Sequence, residues 1–196
     1  MYKLSILICT TIDRRPMFDV LRAEFFRQTA GKPVEVLYLE DNKEISVGKK
    51  RQNLLEIAKG EYIVYFDSDD FPAPTYVDDI LLALSPGYRQ PAPDCVGFMI
   101  HMTTNGVKPQ TCCHSLKYKQ WASNVDHFDY VRSITHFNPV KRELALQVGF
   151  EDMRFGEDKV YSDKITPLCQ TEVFIPKKLF HYRYTKTDHN ERYGIK

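Results

Sequence analysis

The first half of the chain alternates between two kinds of apolar pattern, and this alternation constrains the fold more than any other feature. Runs typical of buried strands lie at 3–9, 34–39 and 62–66, and runs with helical spacing lie at 16–29, 47–59 and 75–84. Such a β-α-β-α-β order is typical of parallel strands joined by right-handed crossover helices. We therefore predict an α/β domain with a parallel sheet at its centre.

Each of these strands runs into a polar cluster. The clusters extend from Thr10 to Arg15, from Glu40 to Asn42, and from Asp67 to Asp70. In an open parallel sheet, ligands bind in the crevice outside the carboxyl ends of the strands. We therefore expect these carboxylates at the mouth of one shared cleft.

The second half of the chain is less regular. Asn138 and Pro139 supply an N-cap and a first-turn proline for a helix that Gly149 closes. The other predicted elements are a strand at 96–100, a hairpin turn at Asn105-Gly106, a helix at 157–168, a strand at 179–184 and a polar tail at 185–196. Without repeats or linkers, residues 1–196 form a single domain. We expect a mostly parallel central sheet flanked by helices, with a smaller antiparallel element in the second half.

Composition excludes several classes of protein. The net charge is +1, which gives no overall electrostatic footprint for nucleic acid. The five cysteines form no disulfide framework, and Cys112-Cys113-His114 has no second pair of ligands at a zinc-site spacing. The N-terminal apolar run is too short to span a bilayer and lacks the order of a signal peptide. We expect a soluble cytoplasmic protein without a transmembrane segment.

The segment GEYIVYFDSDD joins a predicted buried strand to the carboxylates of Asp67, Asp69 and Asp70. Asp67 and Asp69 are two residues apart, so on an extended segment they point the same way. Their mutual repulsion raises the pKa unless a cation relieves it, and hard oxygen ligands suit Mg²⁺ or Mn²⁺. Phe71 and Pro72 stand where a calcium loop needs a ligand and a glycine, which disfavours Ca²⁺. The alternative is a solvated turn that caps the following helix.

Several segments resemble the family-2 glycosyltransferases of the GT-A fold, and the chain is similar to the small, soluble, phage- or bacterial-type members. LSILICTTIDR resembles the opening strand and nucleotide-contacting loop, and VEVLYLEDN resembles the second strand. SVGKKRQNLLEIAKGEYIVYFDSDD, the most specific segment, is similar to the glycine-plus-arginine helix that runs into the D-x-D strand. VGFEDMRFGEDKVYSDKI resembles the acceptor-side segment, and FHYRYTKTDHNERY resembles the basic-aromatic segment that folds over the diphosphate. Cys9 and Thr11 depart from the family, which usually has a proline and an aromatic residue there.

The resemblance implies roles for individual residues. Asp158 aligns with the catalytic base, and Asp69 with the ligand of a Mn²⁺ or Mg²⁺ ion, with Asp67, His181 or His189 as a further ligand. The residues implied to bind the nucleotide sugar are Thr10, Thr11, Asp41, Arg51, Asp67, Ser68 and Arg183.

Within this set, Asp41 aligns with a nucleobase contact, which favours a UDP-sugar as the donor. By the same resemblance, Asp67 lies near the ribose and Arg51 helps to hold the nucleotide. Residues 1–90 then form the nucleotide-sugar half, and residues 91–196 form the half that binds the acceptor and carries the base.

The implied reaction is a metal-dependent, inverting transfer of a sugar to a hydroxyl of a carbohydrate or glycoconjugate. Scattered lysines leave a hydroxylated modified base in DNA as an alternative acceptor. A nucleotidyltransferase would also use a metal and a D-x-D motif, but it typically needs a glycine-rich loop where this chain has TTIDRRP. A noncatalytic module that binds a nucleotide sugar or a metal is the third alternative.

Four residues also have a structural interpretation. From its position alone, Asp158 is equally compatible with a catalytic base and with a helix N-terminal acid. The position of Arg51 is compatible with a solvated helix face or with an anion site after Gly48. For His136 and Trp121 the structural interpretation is favoured: a satisfied histidine beside Asn138-Pro139, and a tryptophan that is partly in the core.

Overall fold

The computed structural model describes residues 1–85, 87, 91–104 and 108–184. Its helices are α1 (Arg15–Thr29), α2 (Val47–Ile57), α3 (Tyr76–Ala83), α4 (Arg142–Val148) and α5 (Glu157–Ile165), with a 3-10 turn at Ile12–Arg14. Its strands are β1 (Leu4–Thr11), β2 (Val34–Asp41), β3 (Tyr62–Asp67), β4 (Phe71–Pro72), β5 (Cys95–Thr104), β6 (Gln110–His114), β7 (Ala122–Val125), β8 (Phe128–Arg132), β9 (Val140–Lys141) and β10 (Glu172–Tyr184).

All of these strands belong to one sheet in the order β2-β1-β3-β9-β5-β6-β8-β7, and β10 pairs with β5 and β4 beside this path. The long ladders β1–β2, β1–β3 and β5–β10 are parallel. Antiparallel pairing joins β9 to β3 and β6 to β5. The predicted fold class, an α/β domain with antiparallel pairing concentrated in the second half, is confirmed.

The sheet has an apolar core on each face. Successive side chains of a strand point to opposite faces, so Leu4, Ile6 and Ile8 of β1 pack with α1 and α3, whereas Leu7 packs with α2, α4 and α5. Residues from both halves of the chain, such as Leu7 and Tyr161, share the second core. The continuous apolar runs of β1 and β3 follow from burial on both faces.

We predict from the sequence that Gly60 ends α2, and this prediction is wrong. The helix ends at Ile57, and its C-cap Ala58 has an extended backbone. A Cβ on Gly60 would lie 2.6 Å from the backbone nitrogen of Ser5. Close approach of two backbone segments, rather than a helix stop, therefore requires glycine at this position.

The predicted helix start at Asn138-Pro139 is also wrong, because β9 intervenes and α4 begins at Arg142. Asn138 is fully buried; its side chain accepts from the Thr135 N–H at 3.0 Å and donates to the Val96 carbonyl at 2.9 Å. It therefore stabilises a turn instead of capping a helix. Gly149 does follow the helix, with φ of 64°.

Two other predicted boundaries differ from those in the structure. Helix α5 ends at Ile165, three residues before the predicted end, and β10 begins well before the predicted strand start at 179. The Asn105-Gly106 turn and the polar tail at 185–196 lie outside the described residues. Both stay predictions.

Candidate active site

A cavity of about 480 Å³ lies at the carboxyl ends of β1 and β3. The parallel register places Cys9 of β1 opposite Asp67 of β3, so the polar clusters after these two strands are neighbours. Members of both clusters line the cavity: Thr10, Thr11, Arg14, Asp67, Ser68 and Asp69. The predicted shared cleft is therefore formed by the first and third clusters.

The cluster after β2 contributes differently. Asp41 lies outside the cavity lining, and its carboxylate forms an ion pair with the buried ammonium group of Lys50. Asp41 also accepts a hydrogen bond from the Ile45 N–H at 2.7 Å, and Lys50 Nζ donates to the Thr10 carbonyl at 2.8 Å. Burial opposes ionisation of Asp41, but Lys50 and the Ile45 N–H hold its pKa below the usual value. Lys50, not Asp41, therefore faces the cavity.

Arg51 is a buried cation at the base of the cavity, with a side chain that is 4% exposed. Its Nη2 lies 3.0 Å from Asp67 Oδ1 and 3.6 Å from Glu157 Oε1, and its guanidinium lies over the rings of Tyr65 and Phe150. Burial disfavours the charge, but the two carboxylates raise the pKa of Arg51 above its usual value. Of the two interpretations of Arg51, the solvated helix face is therefore wrong.

The start of α2 is occupied by other protein groups. The Ser46 hydroxyl accepts from the Lys49 N–H at 3.0 Å, and the Gly48 N–H donates to the Met153 carbonyl at 3.1 Å. A Cβ on Gly48 would overlap the Glu151 carbonyl oxygen. The backbone of this helix start therefore does not supply the predicted anion site; it anchors the loop that leads into α5.

Asp67 lies between two basic side chains. Its Oδ1 binds Arg51, and its Oδ2 lies 3.8 Å from Nε2 of His136. Burial alone would raise the pKa of Asp67, but Arg51, His136 and Arg14 bring it below the usual value. Burial and the charge of Arg51 lower the pKa of His136 to about 4, against the opposing effect of Asp67. Asp67 is therefore ionised and His136 neutral near pH 7.

The next two carboxylates are held by arginines from distant parts of the chain. Asp69 Oδ1 lies 2.9 Å from Arg14 Nη1, and the Asp69 carbonyl accepts from Arg183 Nη2 at 3.0 Å. Burial raises the pKa of Asp69, with Arg14 opposing and Asp67 adding to the rise. Asp70 is buried and accepts from the Arg183 N–H at 3.1 Å. Predicted site residues Asp69 and Arg183 thus meet at one edge of the cavity.

The start of α5 places two acidic side chains at the cavity. Gly156 precedes the helix with φ of 83°, a conformation that favours glycine. Glu157 is buried against Arg51; burial raises its pKa, and Arg51 opposes the rise. Asp158 is half-buried and lines the cavity. The predicted base thus shares the cavity with Asp67 and Asp69.

The structure resembles solved structures of glycosyltransferases. The TarS 1-349 fragment from S. aureus in complex with UDP-GlcNAc has 14% sequence identity and a TM-score of 0.66, over 92% of this chain and 58% of that chain. The mannosyltransferase PcManGT from Pyrobaculum calidifontis, in complex with GDP-Man and Mn²⁺, has 15% identity and a TM-score of 0.54, over 92% of this chain and 57% of that chain. The chain has the GT-A glycosyltransferase fold.

This GT-A likeness is one of structure. The chain spans about six-tenths of the length of those two solved chains. A scan of protein-family models and a search of curated proteins each found no match to the sequence. In the part of the chain that the structure describes, no helix has the length and apolar character needed to cross a bilayer.

Of the two histidines predicted as metal ligands, the structure describes His181. His181 lies outside the lining; its Nε2 is 3.1 Å from the Thr103 hydroxyl, and its ring packs against His101 at 4.6 Å. Strand alternation explains this, because His181 of β10 points to the face opposite to that of its neighbour Tyr182, which lines the cavity. His189 lies outside the described residues.

An apolar wall completes the cavity and consists of Ile100, Met102, Trp121, Phe137 and Tyr182. Trp121 is half-exposed, lines the cavity and packs on Tyr130 with a centroid distance of 4.9 Å. Arg132 lies 5.8 Å from the Trp121 ring. Our sequence interpretation of Trp121 as partly core was therefore wrong; its position between basic and aromatic residues in SLKYKQWAS was the available signal.

His136, Arg14 and Lys50 are three further cavity residues that we did not predict. His136 stood in a segment whose polarity Asn138-Pro139 already explained, and Arg14 was one of two adjacent arginines in TTIDRRP. Lys50 was one of three consecutive basic residues, and the helical period alone could have indicated which of them faces the sheet.

The carboxylates suit a divalent cation in the GT-A site. Asp67 and Asp69 both line the cavity, and the hydroxyl of Ser68 between them is buried without a hydrogen-bond partner among the described residues. One or two carboxylates together with substrate phosphates commonly hold Mg²⁺ or Mn²⁺. Within those residues, no group of three or more His, Cys, Asp or Glu side chains is arranged to hold a metal alone. The donor set therefore fits an ion that is bound together with a diphosphate.

Proposed function

We propose that this chain is a metal-dependent, inverting glycosyltransferase that transfers a sugar from a nucleotide diphosphate, in the first place a UDP-sugar, to an acceptor hydroxyl. The observation that carries the proposal is that Asp67, Asp69 and Asp158 line one cavity at the carboxyl ends of parallel strands. The GT-A fold supports it, since one structure with this fold holds UDP-GlcNAc and another holds GDP-Man with Mn²⁺.

The basic residues around the cavity supply the electrostatic part of the mechanism. The basic side chains in the lining are Arg14, Lys43, Lys50, Arg51, Arg132, Arg154 and Arg183. Donors already oriented toward a developing charge stabilise it without reorganisation. Asp69, with Asp67 as a further ligand, would hold Mn²⁺ or Mg²⁺, whose charge supplies Lewis-acid stabilisation of the departing diphosphate.

Asp158 acts as the general base. Its carboxylate takes the proton of the acceptor hydroxyl while that oxygen forms a bond to the anomeric carbon. The bond from the anomeric carbon to the diphosphate oxygen breaks, and its electron pair goes to the diphosphate. A single displacement of this kind inverts the anomeric configuration and needs no covalent nucleophile.

The acceptor that we propose is a carbohydrate or glycoconjugate. The apolar wall with Trp121 supports this, because aromatic faces pack on the apolar faces of sugars. The free and mostly buried thiols of all five cysteines are consistent with the predicted cytoplasmic location.

The test is release of nucleotide diphosphate from a panel of UDP- and GDP-sugars with Mn²⁺ or Mg²⁺, with saccharides or hydroxylated DNA as acceptors. Asp158→Asn should lower transfer by about 10²–10⁴-fold while donor binding is kept. Asp163→Asn is the matched control, since Asp163 lies exposed on the same helix and pairs with Lys159. Absence of release with every donor, or equal activity of both variants, would contradict the proposal.

A further inference from the structure

His136 is a buried polar side chain whose ring nitrogens the fold leaves unused. The residue is 3% exposed, and neither Nδ1 nor Nε2 has a hydrogen-bond partner among the described residues. The nearest charged oxygen, Asp67 Oδ2, is 3.8 Å from Nε2, which is too far for a hydrogen bond. Buried polar groups without a partner are rare in native structures and call for an explanation.

The backbone holds this residue in place from both sides. The His136 carbonyl accepts from the Tyr65 N–H of β3 at 2.9 Å, and Tyr65 lies two residues before Asp67. The Thr135 hydroxyl accepts from the Phe137 N–H at 3.3 Å, and Asn138 closes the turn through its N–H to the Thr135 carbonyl at 3.1 Å. A hydrogen-bonded turn therefore fixes the position of the imidazole beside Asp67.

The ring lies at the boundary between the two parts of the cavity. On one side is Asp67, with Arg51 behind it; on the other is Phe137, whose ring is 3.9 Å from that of His136 and which also lines the cavity. Arginines beside the carboxylates suit a diphosphate, whereas the aromatic wall suits the apolar face of a sugar. The imidazole has two ring nitrogens without a partner among the described residues, and either can hydrogen-bond to a hydroxyl group, which both donates and accepts.

We propose that His136 binds the sugar unit that is transferred, by hydrogen bonding to one of its hydroxyl groups. The inference rests on the proposed function and adds a residue that recognises the sugar separately from the nucleotide. It accounts for the two unused ring nitrogens, because the partner arrives only with the donor. His136 then fixes the sugar between the diphosphate and the base Asp158.

The test compares the affinity for a nucleotide sugar with that for the bare nucleotide. UDP-GlcNAc and UDP, and likewise GDP-mannose and GDP, are titrated calorimetrically with Mn²⁺ into the wild-type chain and into His136→Ala. Loss of one hydrogen bond should weaken nucleotide-sugar binding about 3- to 12-fold and leave the affinity for the bare nucleotide unchanged. His136→Gln, which keeps an amide donor and acceptor, should restore part of the difference and guards against a folding defect in the alanine variant.

His127→Gln is the control, since His127 is exposed in the turn between β7 and β8. Equal weakening for sugar and bare nucleotide in both His136 variants, or no weakening at all, would overturn the role of His136 while the proposed function stands. If the wild-type chain binds no nucleotide sugar in the panel, the proposed function fails and this inference fails with it.

Discussion

The three carboxylates after β3 lie in different environments although they are close in sequence. Asp67 pairs with the buried Arg51, and Asp69 pairs with Arg14. Asp70 is buried, and its Oδ2 has no hydrogen-bond partner in the described part of the chain. Burial and the charges of Asp69 and Asp67 raise the pKa of Asp70 well above its usual value. Asp70 is therefore the member of the cluster whose ionisation the fold opposes most strongly.

Asp70→Asn should stabilise the protein at pH 7 when measured in EDTA. Asparagine keeps an oxygen to accept from the Arg183 N–H and removes a carboxyl group whose ionisation is opposed by burial, Asp69 and Asp67, which is worth on the order of 1–3 kcal/mol. Denaturant unfolding at pH 4 and pH 7 provides the measurement.

The expected pH dependence has a definite sign. The folded-state pKa of Asp70 lies above its unfolded value, so the folded chain binds more protons and its stability falls as pH rises from about 4 toward the folded-state pKa. The Asp70→Asn variant should lose this part of the slope, and Asp163→Asn should keep it. A variant less stable than wild type at pH 7 would show that the Asp70 charge is compensated.

Arg51→Met should destabilise the protein strongly. The change leaves the half-buried Asp67 and the buried Glu157 without their shared cation, and removal of one partner from a buried pair typically costs about 3–5 kcal/mol. The measurement is again the free energy of unfolding. Arg22→Met is the control, because the ion pair of Arg22 with Asp19 is exposed and its loss should change stability by about 0–1 kcal/mol. Similar losses in both variants would refute the role assigned to Arg51.

At the residue scale, prediction from sequence succeeded where a motif set the spacing. The D-x-D segment placed Asp67, Ser68 and Asp69 at the cavity, since a short apolar run followed by acids defines a strand end. It failed for His136, because the local polar pattern had a sufficient explanation in Asn138 and gave no sign of a contact with β3 far away in sequence. Long-range packing decided that residue.

At the scale of elements, the position of α5 depends on the loop that precedes it, and α2 holds this loop in place. The loop before it packs on the start of α2, where Gly48 allows the Glu151 carbonyl to approach and donates to Met153. Helix propensity alone would favour alanine over glycine at this position. Contact between two elements thus explains a glycine that the local pattern presents only as part of a motif.

Gly48→Ala should displace this loop and lower both stability and activity. The added methyl group overlaps backbone atoms that cannot move without losing the Gly48–Met153 hydrogen bond, so we expect a loss of at least about 1–3 kcal/mol, as for overpacked sites. Asp158 follows the loop, so transfer should fall more than donor binding. Unfolding and kinetics are measured together.

Gly87→Ala serves as the comparison, because a Cβ there would have no atom of the described residues within 4 Å. Unchanged transfer in a folded Gly48→Ala protein would show that the position of α5 does not depend on this contact.

Across the whole molecule, the cavity draws its lining from both halves of the chain. Thr10 and Asp69 come from the first half, whereas Trp121, Asp158 and Arg183 come from the second. The alternation of the first half was sufficient to predict its parallel strands and the helices that connect them. The second half was harder, because β10 pairs in parallel with β5 across a long stretch of sequence, and no local signal specifies that pairing.

Binding of UDP with Mn²⁺ should raise the stability of the whole chain. A ligand at 100 times its dissociation constant adds about 2.7 kcal/mol if it binds only the folded state. Thermal melting at increasing UDP concentration gives the measurement, with inorganic phosphate at equal ionic strength as the control. Asp69→Ala should reduce the part of the shift that depends on Mn²⁺. A melting temperature independent of UDP and of GDP would argue against a nucleotide site.

The position of β9 in the sheet also affects whether the two halves of this chain could be exchanged with those of a related chain. This two-residue strand follows Pro139 in sequence yet lies between β3 and β5, with Ile63 opposite Val140. A chimera of two chains joined near residue 90 would have to preserve the position of β9 between β3 and β5. It would also have to preserve the apolar core beneath α2 that both halves share. Donor and acceptor preferences in this chain are therefore expected to diversify by point changes around the cavity, not by exchange of its two halves.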